Sequence, residues 1–581
     1  MDRKSLTILI VSIGLLFLLS PLVDKMYPPV KRPVSTNQVA SVTNTATTQS
    51  NAATSTTSSA PAIPTPSGPE KTLDITNNNV VWHLTSRGGG IGQIELLEYP
   101  AAIACSRDIP AETNFASLNN RARLPLLTIT GAESITGDNN YTISQRGDAV
   151  VAEKVLPNGL RITKQFQMVS NCSFTAKLRF ENTKGEAIAL PENQVVVGTA
   201  TAMAPTDDPT TVGVFWYNGK KAEEVTDKYF ANRTLGCIPG TPRFDYENGA
   251  GNVDWTAVHN QFFTLAAIPD HSATRVLIHK FDLPRDTSTN AVSSTLNNGY
   301  ETTLYYPATN LAANAAIDRT YTFYAGPKEY NLLARYGQAY NNNLDAIMGF
   351  SGFFGFFSKF LLLSMNGLHG IGLQYGLCII AITFILKLLF WPLTHASTKS
   401  AKRMQTLMPQ IKAIQDKYKD DPVKKNQKTM EFYKEHRVNP LGGCLPMLLQ
   451  IPVFIGFYWM LRSAIELRGV HFLWACDLSQ PDTIAWIGGF PFNPMPLIMG
   501  VTMLWQSHLT PPSPGMDPTQ QKIMRYMPLM FMFILYKMSA GLTLYWTINN
   551  LLTIAQTKLT RATEPPTAPP AAVSVAPKKR K

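Results

Sequence analysis

One charge interrupts the apolar run GLCIIAITFILKLLFWPL, Gly376 to Leu393: Lys387, the twelfth of its 18 residues. A lysine at the centre of a membrane span costs roughly 2.5–3.5 kcal/mol on insertion scales, and by default it marks a functional path. The competing reading is snorkelling. Lys387 lies seven residues before Thr394, ~10 Å along a helix, and a lysine stem can cover part of that. Thr383 stands four residues earlier on the same helical face. No Asp or Glu occurs in any of the long apolar runs of the chain. An ion pair inside the membrane is therefore excluded, and so is an acidic proton relay. Water, hydroxyls, amides and backbone carbonyls remain to solvate the ammonium. The side chains of suitable type are Thr383, Gln450, Gln506, Asn549 and Asn550. A wet, positively charged cavity among the spans would accommodate them all. Taken singly, each is explained by hydrogen bonding between helices.

Other chemistry is absent from the sequence. There is no nucleophile–base set and no glycine-rich phosphate loop; Gly88-Gly89-Gly90 reads as a turn. The cysteines (Cys105, Cys172, Cys237, Cys378, Cys444 and Cys476) show no CxxC spacing, so metal or thioredoxin-type chemistry has no support. Cys378 and Cys444 lie in apolar runs and behave there as small apolar residues; a disulfide among the others is left open. His83, His259, His271 and His279 lack ligand spacing. No enzyme activity, metal or cofactor is expected. Met495, Met499 and Met503 form a stripe at helical spacing, which reads as core filling.

The elements that must position Lys387 follow from composition. Residues 1–24 carry Arg3 and Lys4 before an 18-residue apolar run from Leu6 to Val23, enough to span ~30 Å of hydrocarbon. A secretory signal is the rival, but no small-x-small site follows the run. Residues 25–70 are largely Ser, Thr, Ala, Asn and Pro and read as a tether. Residues 71–335 alternate with the period of strands: Phe174, Ala176, Leu178 and Phe180 on one side of a turn at Ser170–Ser173, and Leu160, Ile162, Phe166 and Met168 on the other, broken by Lys164. A large antiparallel sandwich is expected.

The remainder should be α-helical membrane protein. An amphipathic helix at 345–368 presents Phe350, Phe353, Phe354, Phe357, Phe360 and Leu361 on one face. Spans are expected at 371–393, 441–465, 494–510, 524–538 and 541–560, which with the N-terminal anchor makes six. Residues 394–440 hold eleven Lys/Arg against five Asp/Glu, in two amphipathic helices delimited by Pro409 and by Asp420-Asp421-Pro422. Residues 466–493 and 511–523 form an outer and an inner loop, and 561–581 end in a basic tail. The positive-inside rule puts 394–440, both termini and the tail in the cytoplasm. The Phe-rich helix then lies flat on the outer surface.

At these residues the chain resembles the YidC/Oxa/Albino family of membrane protein insertases, in its Gram-negative form. The resemblance rests on FILKLLFWPLT (384–394), NPLGGCLPMLLQIPVFIGFY (439–458), LIMGVTML (497–504), DPTQQKIMRYMPLMF (517–531) and SAGLTLYWTINNLL (539–552). It implies a five-helix core with a hydrophilic groove, an inner-membrane location and a periplasmic all-β supersandwich. It also implies a role, alone or with the Sec translocon, in inserting and folding inner-membrane proteins. The implied partners are nascent membrane proteins, the Sec translocon with its accessory subunits, the ribosome, the signal recognition particle receptor and phospholipids. An arginine is common in the family's groove, and Lys387 stands at the matching position; it keeps the charge and loses the bidentate fork. Thr383, Gln450, Phe454, Tyr545, Trp546 and Asn549 match groove or substrate-path positions. Two other classes compete on the residues. A small-anion transporter would show inverted repeats, which the sequence lacks. A sugar-binding envelope protein would not need five spans beyond an anchor.

Overall fold

The structure is a computed structural model that describes residues 68–77, 79–103, 114–203, 207–233, 238, 240–283, 297–436, 445–509 and 518–563. The expected N-terminal anchor and most of the tether and basic tail lie outside the described residues, as do Cys105, Cys237 and Cys444. The chain divides between Gly349 and Phe350 into two compact units.

The first unit is β-rich. Leu160–Ser170 and Ser173–Asn182 form the expected hairpin, pairing Ile162 with Phe180 and Phe166 with Ala176. Phe174, Ala176, Leu178 and Phe180 are all buried. Lys164 does not break the alternation. It pairs with Leu178 and is wholly buried at a core position. The position tolerates an amine because its Nζ donates to the Gly88 carbonyl and stands 4.2 Å from the Tyr141 ring centre. This hairpin belongs to a nine-stranded antiparallel sheet that also contains Trp255–His259 and Phe263–Pro269. A five-stranded sheet packs across it through Asn193–Ala200 and Asn298–Tyr306. Gly198 allows that approach: a Cβ there would meet Leu265 Cδ2 at 2.9 Å. A four-stranded sheet, Thr72–Asn77 through Phe115–Leu118, and a two-stranded one, Ile188–Leu190 with Thr309–Leu311, complete the unit.

The second unit is helical: α1 (Gly352–Gly370), α2 (Tyr375–Leu389), α3 (Trp391–Thr406), α4 (Met408–Lys417), α5 (Pro422–Glu435), α6 (Leu445–Ser463), α7 (Pro494–Leu509), α8 (Pro518–Ile534) and α9 (Ala540–Thr563). α1 packs on α6, and α9 packs on both α2 and α7. The basic stretch forms α3 to α5. Pro409 opens α4, and the Asp421 carboxylate caps α5 by accepting from Lys424 N at 3.0 Å. Met404, Ile411 and Tyr433 make the core between these basic helices, with Leu407 and Phe432 against it.

Helix length and hydropathy among the described residues do not confirm six independent spans. Among the described residues no single helix is long and apolar enough to cross a membrane; Tyr375–Leu389 and Trp391–Ser397, bent by 57°, pass that test only together. The bend falls at Pro392, which lacks an N–H and is confined to a helix start. α7 has 16 residues, ~24 Å of helix. α8 spends its first half on Gln520, Gln521, Lys522 and Arg525, and α9 carries Asn549, Asn550 and Gln556. The buried residues of α1 are Gly355, Ser358, Leu361, Leu362, Leu363 and Met365, while Phe353 at its start is exposed. Part of the Phe-rich stripe meets α6: the Phe354 ring lies edge-on to Trp459, centres 5.9 Å apart. Small residues let α1 approach α6 closely enough for Ser358 Oγ to donate to the Gly456 carbonyl at 3.0 Å.

Candidate functional site

The polar residues converge on α9. Its residues Tyr545, Asn549, Thr553 and Gln556 recur at i, i+4, i+8 and i+11 and so share a face. Lys387 reaches this face from α2: its Nζ donates to Thr553 Oγ1 at 2.6 Å and to Asn549 Oδ1 at 3.4 Å. Further along, Gln556 Nε2 donates to Thr394 Oγ1 at 2.5 Å. Toward the other end, Gln450 of α6 donates from Nε2 to the Tyr545 hydroxyl, and Tyr545 stacks on Phe457 with ring centres 4.1 Å apart. Asn550 Nδ2 donates to Thr502 Oγ1 of α7 at 3.2 Å. Trp546 lies between Phe454, edge-on at 4.5 Å, and Phe531 at 5.7 Å. α9 is thus tied to α2, α6 and α7 by a different polar pair in each case.

Of the residues singled out from sequence, Lys387 meets Asn549, Gln450 meets Tyr545, and Phe454 meets Trp546. Thr383 stays apart. Its Oγ1 donates to the Ile379 carbonyl at 2.6 Å, so the hydroxyl is satisfied within its own helix. Gln506 is half-buried on α7. Sequence reading missed Thr553, Gln556, Thr394 and Thr502. The signal was present: Thr553 stands four residues after Asn549, one turn along the same face. Met495 and Met499 are buried in the core, as the stripe implied.

Among the described residues no carboxylate pairs with Lys387, and no group of His, Cys, Asp or Glu could hold a metal ion. The half-buried ammonium is held by one hydroxyl and one amide, both neutral and both replaceable. A carboxylate ~4 Å away would gain roughly 4 kcal/mol at an effective dielectric of ~20. The chemistry on offer is reversible attraction of a negative or strongly polar group, with no bond made or broken.

At the opposite end from the basic helices, the loop 464–493 is laced to the helix starts. Asp482 Oδ2 accepts from Met495 N at 2.6 Å and from Trp474 Nε1 at 2.8 Å. The carbonyls of Gln480 and Leu478 accept from Ala540 N at 2.7 Å and Gly541 N at 2.9 Å, the first amides of α9. Burial pushes the Asp477 and Asp482 carboxyls above the usual carboxylate range. Cys476 in this loop is disulfide-bonded.

The family model for the 60Kd inner membrane protein matches residues 367–566, and the model for the YidC periplasmic domain matches 72–363. The membrane protein insertase YidC of Geotalea daltonii is 31% identical over 588 residues, covering 96% of this chain and 98% of that one. The relative of the same name from Syntrophus aciditrophicus is 40% identical over 306 residues; that match takes in 52% of this chain and about half, 51%, of the relative. A crystal structure of an active YidC insertase with its first transmembrane domain resolved aligns over 87% of this chain and 95% of that one. Its identity is 20%, and its TM-score of 0.35 is too low to carry a fold argument. The full-length match and the two family models together show that the chain belongs to the YidC family of membrane protein insertases, inner-membrane proteins with a β-rich periplasmic domain.

Proposed function

We propose that the chain inserts and helps fold inner-membrane proteins through a hydrophilic, positively charged groove whose wall is the polar face of α9. One observation carries this reading: Lys387 rests on Thr553 and Asn549 with no carboxylate partner among the described residues. A client's short polar segment exchanges its own acidic or polar groups for those two. It then spends less of its passage in hydrocarbon, where each unpaired polar group costs several kcal/mol.

The topology is multi-pass, with both termini in the cytoplasm. The charge of 394–440 supports it through the positive-inside rule. The disulfide at Cys476 fits an oxidising compartment for the loop 464–493. Nascent membrane proteins are the clients, received at α3 to α5. The basic surfaces suit the ribosome, the signal recognition particle receptor and phospholipids, and the Sec translocon with its accessory subunits is the partner for larger clients. The test is a photoreactive residue at Asn549 or Thr553 during insertion of a stalled single-span nascent chain. Adducts to its polar segment are expected; an active protein yielding none would sink the groove.

A further inference from the structure

Ile484 to Phe492 reads IAWIGGFPF and contains no charge. It folds as a hairpin, Ala485–Ile487 paired with Phe490–Phe492. Gly488 and Gly489 turn it at φ +59° and +80°, values that favour glycine. The tip buries little: Trp486 is 68% exposed, Ile487 66% and Phe490 57%. Two strands of three residues are not stable alone in water, so the hairpin is held from its base. Tyr536 OH donates to the Pro491 carbonyl at 2.7 Å, and the Tyr536 ring lies 5.2 Å from that of Phe490. Asn493, fully buried, donates from Nδ2 to the Tyr536 carbonyl at 2.9 Å and accepts from Thr483 Oγ1 at 2.7 Å. The fold therefore anchors the hairpin at its base and leaves the apolar side chains of its tip outside.

Tyr536 lies two residues past the end of α8, where Phe533 and Ile534 are also exposed. The base of the hairpin is thus bolted to the terminus of an apolar helix face. We infer that the hairpin 484–492 dips into the outer leaflet and seats against phospholipid at the depth where acyl chains meet headgroups. This rests on the reading that the helical unit lies in a membrane. Three observations favour lipid as the occupant: the uncharged tip, its Trp and Phe, which suit the interfacial belt, and the attachment to α8. A protein partner would instead be expected to meet a polar rim around the apolar centre. Seated this way, the hairpin pins the outer end of α8 and, through the loop 464–493, the first turn of α9.

The test uses the full chain in vesicles of phosphatidylethanolamine and phosphatidylglycerol, with benzoylphenylalanine placed singly at Trp486, Phe490, Phe533 or the exposed Asn310 of the other unit. Lipid adducts at 486 and 490, in yields comparable to 533 and absent at 310, are expected. Adducts at 533 with only protein adducts at 486 and 490, from a second copy or another polypeptide, would overturn the hairpin's assignment. So would no adduct there, or equal lipid labelling at 310. Failure at 533 as well would instead overturn the membrane placement of the helical unit.

Discussion

Lys164 in the β-rich unit and Lys387 in the helical unit both occupy positions where the pattern calls for an apolar residue. Their partners differ in kind. Lys164 is fully enclosed, its amine on a backbone carbonyl and over the Tyr141 ring. Lys387 is half-buried, its amine on two side chains of a neighbouring helix. A backbone carbonyl inside a sheet cannot leave; a threonine hydroxyl and an asparagine amide can be displaced. The first lysine is committed to structure, and the second keeps its charge in reserve.

The sharpest break of this comparison is Lys164→Ala. It leaves a cavity and an orphaned Gly88 carbonyl, at a cost of ~3 kcal/mol. Hydrogen exchange of peptides from the strands Leu160–Ser170 and Ser173–Asn182 should accelerate by roughly a hundredfold, as 1.4 kcal/mol is a factor of ten. Client insertion by the folded fraction should be unchanged, and a loss of it would erase the distinction.

Next in size is Lys387→Glu. Insertion of clients with acidic outer segments should fall about tenfold, ~1.4 kcal/mol of lost attraction. Lys387→Arg should retain most of it, because charge rather than fork geometry is required. Equal losses in a reconstituted insertion assay would count against electrostatic attraction.

A pH series separates the lysines further. Burial, and secondarily Lys154, pushes the folded Lys164 ammonium well below the ordinary lysine value. Between that lowered value and the unfolded ~10.4, the unfolded state binds more protons, so stability rises with pH by at most ~1.4 kcal/mol per unit. The gain is complete above the unfolded value and is lost as pH falls through the folded one. Urea midpoints of the β-rich unit below about pH 10, where tyrosines stay protonated, should show this slope, and Lys164→Met should flatten it.

The smallest effect is expected from Thr553→Val, which removes one hydroxyl from Lys387 at ~1 kcal/mol. Insertion should change by less than about fivefold. A larger loss than Lys387→Glu produces would make Thr553, and not the charge, the centre of the site.

These contrasts also mark what the sequence disclosed. The strand pattern of Phe174 to Phe180 reads directly, because a half-buried sheet imposes its period of two on side chains. Lys164 misled, since a composition pattern does not record a carbonyl brought in from Gly88, 76 residues away. The polarity of Lys387, Gln450, Asn549 and Asn550 was legible; their pairing was not, because it depends on which faces of α2, α6 and α7 meet α9. Thr383 shows the limit of type-based inference: it has the right chemistry at the right depth, and spends it on Ile379 of its own helix.

The sharing of α9 among three partners has a mechanical corollary. Successive residues on a helix are ~100° apart, at 3.6 per turn. A rotation of α9 by one residue would carry Tyr545 from Gln450, Thr553 from Lys387 and Asn550 from Thr502 in the same stroke. In such a rigid rotation no one of the three pairs parts while the others hold, so the polar contacts of α9 with α2, α6 and α7 are geometrically coupled through the helix itself.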